Sequence, residues 1–165
     1  MTSRNKFVFL AAGLALVAIA VVALSVGNPF SATAGGHALR PDDAKVLARG
    51  KQVYAAQCGA CHGATLEGQP DWRERGLNGL LPAPPHDASG HTWHHADDVL
   101  FRITKHGVAK AAGLKDYLSA MPIYEGVLSD DEIIAVLSWI KAQWPTAVRQ
   151  RHDQINAQAR QAAQP

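Results

Sequence analysis

The sequence predicts an all-α protein with a hydrophobic N-terminal helix. Residues 7–26 form an uncharged, almost wholly apolar run, later segments carry apolar residues at helical spacing, and a stretch rich in Gly and Pro between them predicts loop. The 165 residues suffice for one domain with an appendage. With 47% hydrophobic and 18% charged residues, the composition excludes a disordered chain and a polytopic membrane protein.

The N-terminal run is long enough to cross a bilayer. As a helix, its 20 residues span about 30 Å, the thickness of the hydrocarbon core. Arg4 and Lys6 precede it, and the next charged residue is Arg40. The basic flank should stay in the cytoplasm. Residues 1–27 are therefore predicted to be an inner-membrane anchor, with the following domain in the periplasm.

A cleaved secretory signal is the alternative for this segment. Ala32-Thr33-Ala34 before Gly35 fits the small-residue cleavage pattern, and cleavage after Ala34 would leave a soluble periplasmic protein. The apolar run is longer than the usual core of a signal peptide, which favours a retained anchor. Both alternatives predict export.

The charge gives no indication of nucleic-acid binding. The formal net charge is +2, and setting aside Arg4 and Lys6 leaves 14 basic and 14 acidic residues. The exported part is therefore neutral, and the net positive charge of the whole chain comes from the two basic residues before the apolar run, which set its orientation in the membrane.

The exported part divides into a linker, a domain and a tail. Residues 28–39 are rich in small and helix-breaking residues, which is typical of a linker. Residues 40–146 carry the helical patterns and are predicted to form one domain. Residues 147–165 are polar and rich in Gln and Ala, which predicts frayed helix or disorder.

Three helices are predicted in the domain. The first, Asp42 to Gln57, should end at a cysteine motif, and the second, Asp97 to His106, should bury Val99, Leu100 and Ile103 and stop at Gly107. Between them, Gly63 to Gly90 should be mostly loop. A capping box, Ser129-Asp130-Asp131-Glu132, opens the last helix, which Pro145 ends. Its predicted buried stripe is Ile133, Val136, Leu137 and Ile140.

Both cysteines lie in one motif, Cys58-Gly59-Ala60-Cys61-His62. In this pattern the two thiols can form thioethers with one haem, and the adjacent histidine can bind the iron. A zinc site would need two more ligands, and a thioredoxin-like motif would follow a strand rather than a helix. The motif therefore predicts one covalently attached haem c, with Cys58 and Cys61 as thioethers and His62 as an axial iron ligand.

Met121 is the candidate for the second axial ligand. Apart from Met1 it is the only methionine, and it lies beside Pro122 in a predicted loop before the last helix. Filling core space is the alternative role for its side chain. Thioether ligation would raise the reduction potential, because a thioether stabilises ferrous iron relative to a second imidazole.

From Arg40 to Trp144 the sequence resembles class I c-type cytochromes, in particular small, membrane-attached bacterial members with one haem. The resemblance rests on five features: Gly50 and Tyr54 before the cysteine motif, the motif itself, Met121-Pro122, the capping box at Ser129, and Trp139-Ile140. It implies the cytochrome c fold, with several helices around the haem.

The resemblance also implies two structural roles. Gly50 should lie where the first and last helices cross, close to Trp139. A proline carbonyl should accept a hydrogen bond from the ring nitrogen of His62 that does not bind iron; Pro82, Pro84 and Pro85 are the candidates, and Pro82 and Pro84 are favoured.

His91, His94 and His95 are a departure from a minimal cytochrome. Imidazoles suit zinc or copper, but a structural role or contact with the haem propionates is the favoured prediction for this loop.

The function predicted is one-electron transfer rather than catalysis. No nucleophile with a base and no nucleotide-binding loop is present, and two axial ligands leave no open iron position. The partners would be a protein electron donor and an acceptor such as a terminal oxidase. The alternatives are a permanent subunit of a membrane dehydrogenase or oxidase complex, and a haem sensor or enzyme in which Met121 dissociates.

Overall fold

The computed structural model describes residues 36–164, and within them the regular secondary structure is entirely helical, without strands. The all-α prediction is confirmed for this part of the chain. The helices are α1 (Ala44–Val53), a π-helical segment (Tyr54–Cys58), α2 (Gly59–His62), a 3-10 turn (Thr92–His94), α3 (Asp97–His106), α4 (Val108–Ala112), α5 (Asp130–Ala142) and α6 (Thr146–Ala162).

The predicted anchor at residues 7–26 and the alternative cleavage site after Ala34 lie outside the described residues. Between residues 36 and 164, none of the helices combines the length and the apolar character needed to span a bilayer.

Helix α1 is capped by Asp43, whose carboxylate accepts hydrogen bonds from the backbone N–H groups of Lys45 and Val46. Its buried residues are Val46, Gly50 and Val53, which face α5. A Cβ added to Gly50 would overlap the carbonyl oxygen of Ala135 and lie 2.8 Å from the Cβ of Trp139. The close crossing expected at Gly50 is therefore present in the structure.

The helical conformation continues through the cysteine motif instead of ending before it. Beyond Val53 the turn widens into the π-helical segment Tyr54–Cys58, and α2 then carries the chain to His62. Gly63, with φ of +83°, ends this stretch in a conformation that L side chains rarely adopt. The expected end near Gln57 was wrong, because Gly59 and Ala60 present no obstacle to helix and the first strong stop is Gly63.

Helix α3 has the bounds predicted, Asp97–His106, and stops at Gly107, whose φ is +82°. Its buried face differs from the prediction: Leu100, Phe101 and Thr104 are buried, whereas Val99 and Ile103 are only half-buried. The Thr104 hydroxyl donates a hydrogen bond to the Leu100 carbonyl, which allows this polar residue to be buried.

Helix α5 begins with the predicted capping box. The Ser129 hydroxyl accepts from the Glu132 backbone N–H, and the Glu132 carboxylate accepts from the Ser129 backbone N–H. All four residues of the predicted stripe are buried and belong to the main hydrophobic core, together with residues from the rest of the domain: Leu39, Val53, Tyr54, Leu66, Leu100, Phe101, Tyr124, Leu128 and Trp144.

The segment after Pro145 is an ordered helix, so the prediction of frayed helix or disorder was wrong. Helix α6 buries His152 completely and Asn156 to 6% exposure. The His152 ring lies edge-on to the indole of Trp144, with centroids 5.0 Å apart. These two buried residues are polar, so a count of apolar residues does not detect the buried face.

Asp97 joins both ends of the domain. One of its carboxylate oxygens accepts from the backbone N–H of Leu39 at 3.0 Å, and the other accepts from the side-chain amide of Asn156 at 2.9 Å. The amide oxygen of Asn156 in turn accepts from the Asp97 backbone N–H at 2.7 Å. The N-terminal entry to the domain and helix α6 are therefore fixed to the first residue of α3.

Candidate haem-binding site

The two cysteines of the motif lie on either side of the start of α2. Both thiols are free, with Cys58 half-buried and packed against the core and Cys61 exposed. Burial, and secondarily the neighbouring Cys61, raises the pKa of the Cys58 thiol to about 11. The structure thus places two unpaired thiols one helical turn apart. The Cys58 thiol is protonated at neutral pH, and the Cys61 thiol is accessible to solvent.

The His62 ring is buried at 8% exposure, and its Nδ1 lies 2.8 Å from the carbonyl oxygen of Pro84. A carbonyl only accepts hydrogen bonds, so Nδ1 carries the proton and Nε2 keeps its lone pair. Burial lowers the pKa of His62, and the bond to Pro84 opposes that shift. Of the two favoured prolines, it is Pro84 rather than Pro82 whose carbonyl meets the ring.

Two glycines hold the Pro84-Pro85 segment in place. A Cβ on Gly68 would lie 2.7 Å from the carbonyl carbon of Pro84, and a Cβ on Gly90 would overlap the carbonyl oxygen of Pro85. The backbone of Gln69 also donates to the Ala83 carbonyl at 2.9 Å. The position of the Pro84 carbonyl is therefore set by close backbone packing on both sides of the segment.

The backbone around His62 is fixed by Tyr54 and Gly68. The Gly68 N–H donates to the His62 carbonyl at 2.8 Å, and the Tyr54 hydroxyl donates to the Gly63 carbonyl at 2.8 Å. The Tyr54 ring lies against Trp139, with centroids 4.7 Å apart. The crossing of α1 and α5 thus supports the backbone at His62 through Tyr54.

Met121 is half-buried in the loop before α5 and packs against the hydrophobic core to which Cys58 also packs. Its backbone N–H donates to the Ser119 hydroxyl at 3.1 Å, outside any helix. The thioether is therefore carried by a turn next to the core, and the neighbouring Tyr124 hydroxyl donates to the Gln57 carbonyl at 2.7 Å, which ties this loop to the residue before Cys58.

His86 is a residue of the site that the sequence did not single out. Its ring stacks on the His62 ring, with centroids 3.9 Å and planes 22° apart. Burial, with a contribution from His62, lowers the pKa of His86 to about 3, so the ring is neutral at neutral pH. The available signal was its place two residues after Pro84, a candidate for the carbonyl that meets His62.

His91, His94 and His95 gather around the 3-10 turn. The ring centroids of His91 lie 5.4 Å from His94 and 4.7 Å from His95, and the Trp93 indole stacks on His94 at 3.7 Å. Burial and the neighbouring imidazoles lower the pKa values of His91 and His95. In the described part of the chain, no three or more His, Cys, Asp or Glu side chains are arranged to hold a metal ion.

The donors that the chain offers suit a haem c. Two free thiols flank one helical turn, the adjacent imidazole keeps its lone pair on Nε2, and the chain offers one thioether outside Met1. Thioether bonds to a haem consume unpaired thiols, and iron takes a neutral imidazole nitrogen, so each of these donors is in the chemical state that the group requires.

Residues 45–140 match the family model described as cytochrome c oxidase, cbb3-type, subunit III. The match includes the cysteine motif, Pro84, Met121 and most of α5. No curated protein and no solved structure matches the chain.

Proposed function

Because the chain belongs to the family of cytochrome c oxidase, cbb3-type, subunit III, and so carries a c-type cytochrome domain, we propose that it transfers single electrons through one covalently bound haem c. Cys58 and Cys61 would form the thioethers, with His62 and Met121 as the axial iron ligands. The observation that carries this proposal is the hydrogen bond between His62 Nδ1 and the Pro84 carbonyl, which leaves Nε2 as the ligating nitrogen.

When bound, the haem iron supplies the redox chemistry by alternating between the ferric and ferrous states. The protein holds the proton on His62 Nδ1 through the Pro84 carbonyl and keeps the backbone of His62 in place through Gly68 and Tyr54. A fixed axial ligand limits the rearrangement that accompanies each change of charge. Met121 would favour the ferrous state and so raise the reduction potential.

The proposed location is the outer face of the bacterial inner membrane, with the haem domain in the periplasm. Residues 7–26 would be the anchor, or would be removed as part of a signal if cleavage follows Ala34. An anchored carrier would exchange electrons with a donor and an acceptor close to the membrane plane.

A permanent place in an oxidase complex is the second candidate function, and the family description favours it. In that case the terminal oxidase would be a constant partner rather than an acceptor met by diffusion. Purification from membranes separates the two: a subunit co-purifies with oxidase at a fixed stoichiometry through repeated columns, whereas a shuttle is recovered alone.

The haem assignment is tested by expressing the full chain in an exporting host with cytochrome maturation enzymes. We expect haem that survives denaturing electrophoresis, one haem per chain, and loss of covalent attachment in the Cys58→Ala, Cys61→Ala double variant. A chain that carries no covalent haem under these conditions would refute the proposal.

The axial ligands are tested by the sulfur-to-ferric-iron charge-transfer band of the oxidised protein. We expect the band in the wild type and its loss in Met121→Ala, with carbon monoxide binding to the reduced variant because an iron position is then open. Persistence of the band in Met121→Ala would show that another group is the ligand. Leu118→Ala, an exposed residue of the same loop, is the matched control.

A further inference from the structure

The His62 imidazole is contacted at its edge and on its face. The Pro84 carbonyl meets Nδ1 at 2.8 Å, and the His86 ring lies against the ring plane at a centroid distance of 3.9 Å. One hydrogen bond to a carbonyl tolerates a broad range of ring orientations, since the preferred directions at the oxygen are loosely distributed. The stacked His86 ring excludes rotations of the His62 ring toward the side on which it lies.

His86 is itself held by hydrogen bonds at its Nδ1 and at both backbone polar groups. Its Nδ1 lies 2.6 Å from the hydroxyl of the buried Thr92, its backbone N–H donates to the Leu66 carbonyl at 2.8 Å, and its carbonyl accepts from Trp144 Nε1 at 2.7 Å. The Tyr54 ring also lies edge-on to it, at a centroid distance of 6.2 Å. With its backbone held at both polar groups and its ring held by Thr92 and Tyr54, His86 offers a rigid surface to its neighbour.

We propose that His86 is a positioning residue for His62, and that its stacked ring sets the rotation of the His62 imidazole about the bond to the haem iron. The inference rests on the proposed role of His62 as an axial ligand. The orientation of an axial imidazole determines which iron orbital carries the unpaired electron of the ferric state, so a group that holds the ring also tunes the metal. Thr92 acts one step further out, by holding His86.

Three substitutions distinguish the effect of the flat His86 ring from the effect of its hydrogen bond to Thr92. His86→Phe keeps an aromatic face and loses the bond to Thr92, His86→Ala removes both, and Thr92→Val keeps the His86 ring and removes its partner. His94→Ala removes an exposed imidazole from the same region and serves as the control.

The measurements are the proton NMR shifts of the four haem methyl groups and the electron paramagnetic resonance g values of the oxidised holoprotein. We expect His86→Ala to change the spread of the methyl shifts and to broaden the g values, His86→Phe to restore most of the wild-type pattern, and Thr92→Val to lie between them. The sulfur-to-iron band should remain in all three, since the ligands are unchanged.

Wild-type methyl shifts and g values in both His86→Ala and Thr92→Val would overturn the proposal. So would a His86→Phe variant that differs from wild type as much as His86→Ala does, because the flat ring would then be irrelevant. If His86→Ala gives no holoprotein, Thr92→Val and His86→Phe decide the question. Failure of the proposed function has a different signature, because the wild type itself would then lack the low-spin spectrum and the sulfur-to-iron band.

Discussion

Gly50 packs against the backbone of Ala135 at the crossing of α1 and α5, with no space between them for a side chain. A methyl group there would overlap the Ala135 carbonyl oxygen and press on Trp139, which also contacts Tyr54. Backbone atoms in the middle of two helices move only if the helices separate. The smallest side chain is therefore a requirement of the crossing.

Gly50→Ala should destabilise the protein although alanine is the better helix former. The gain in helix propensity is about 1 kcal/mol, and overpacking costs roughly 1–3 kcal/mol or more where backbone must move. We expect a net loss of free energy of unfolding and a lower yield of holoprotein, and Gly50→Leu should abolish folding. Guanidinium denaturation followed by circular dichroism measures the loss.

Ala48→Leu adds a larger side chain to the exposed face of the same helix and is the control. We expect its free energy of unfolding to lie within about 0.5 kcal/mol of the wild-type value. Wild-type stability in Gly50→Ala would mean that the crossing is not close in solution.

Trp144→Phe should cost about 1–3 kcal/mol of unfolding free energy, because it leaves the partly buried His86 carbonyl without its indole donor. The aromatic ring and most of the packing against His152 remain. Trp93→Phe removes an equivalent indole hydrogen bond, to the Ala88 carbonyl, that is exposed to solvent, and it should cost less. Equal losses of unfolding free energy in the two variants would show that burial of the hydrogen bond does not affect its contribution to stability.

Gly90→Ala should disturb the site without touching any proposed ligand. The new methyl group would overlap the Pro85 carbonyl oxygen, so the Pro84-Pro85 segment has to move and the bond from His62 Nδ1 should weaken. We expect a higher reduction potential, because a weaker hydrogen bond at Nδ1 makes His62 a less basic ligand that stabilises ferric iron less. Gly76→Ala is the control, since its methyl group would lie 3.2 Å from the Asn78 side chain and in ordinary contact, at 3.8 Å, with the Leu80 carbonyl oxygen. An unchanged NMR shift of the His62 Nδ1 proton in Gly90→Ala would contradict the prediction.

Helix α6 should loosen on acidification because of His152. Its Nε2–H donates to the His95 carbonyl at 2.9 Å, while Nδ1 faces the side-chain amide of Asn156 at 3.4 Å and can accept from it only when unprotonated. Burial and Lys141 lower the pKa of His152, more than Asp97 and Asp153 raise it.

The unfolded chain therefore binds a proton at position 152 more readily than the folded one. The stability that neutral His152 provides is complete above the unfolded pKa of about 6.5 and is lost as the pH falls below it. We expect the difference in unfolding free energy between wild type and His152→Gln to shrink from pH 7.5 to pH 5. Thermal unfolding of the holoproteins across this range tests the prediction, with His94→Gln as a surface control. A difference that stays constant with pH would refute it.

The sequence predicted the parts of the fold that are encoded locally. The capping box at Ser129, the helix Asp97–His106 and its stop at Gly107 depend on residues close in the chain, and all are present. The predicted end of the first helix was too early, since the helical conformation continues through the cysteine motif until Gly63. Resemblance to a family, rather than local pattern, was needed to expect the crossing at Gly50.

The contacts between distant segments could not be predicted in the same way. Helix α6 has Val148, His152, Ile155 and Asn156 on one face, a helical spacing that is visible in the sequence, but two of the four are polar and their partners belong to the region around α3. The stacking of His86 on His62 likewise depends on how the loop from Gly63 to Gly90 folds back. Such partners are defined only once the chain is folded.

The double attachment at Asp97 has a consequence for how the domain opens. Helices usually fray first at free ends, yet the segment entering at Leu39 and helix α6 share one carboxylate with the start of α3. Neither end can peel away without disturbing the residue that holds the other. The segment at Leu39 and the turn of α6 at Asn156 should therefore open together, and their amide hydrogens should exchange as one cooperative unit.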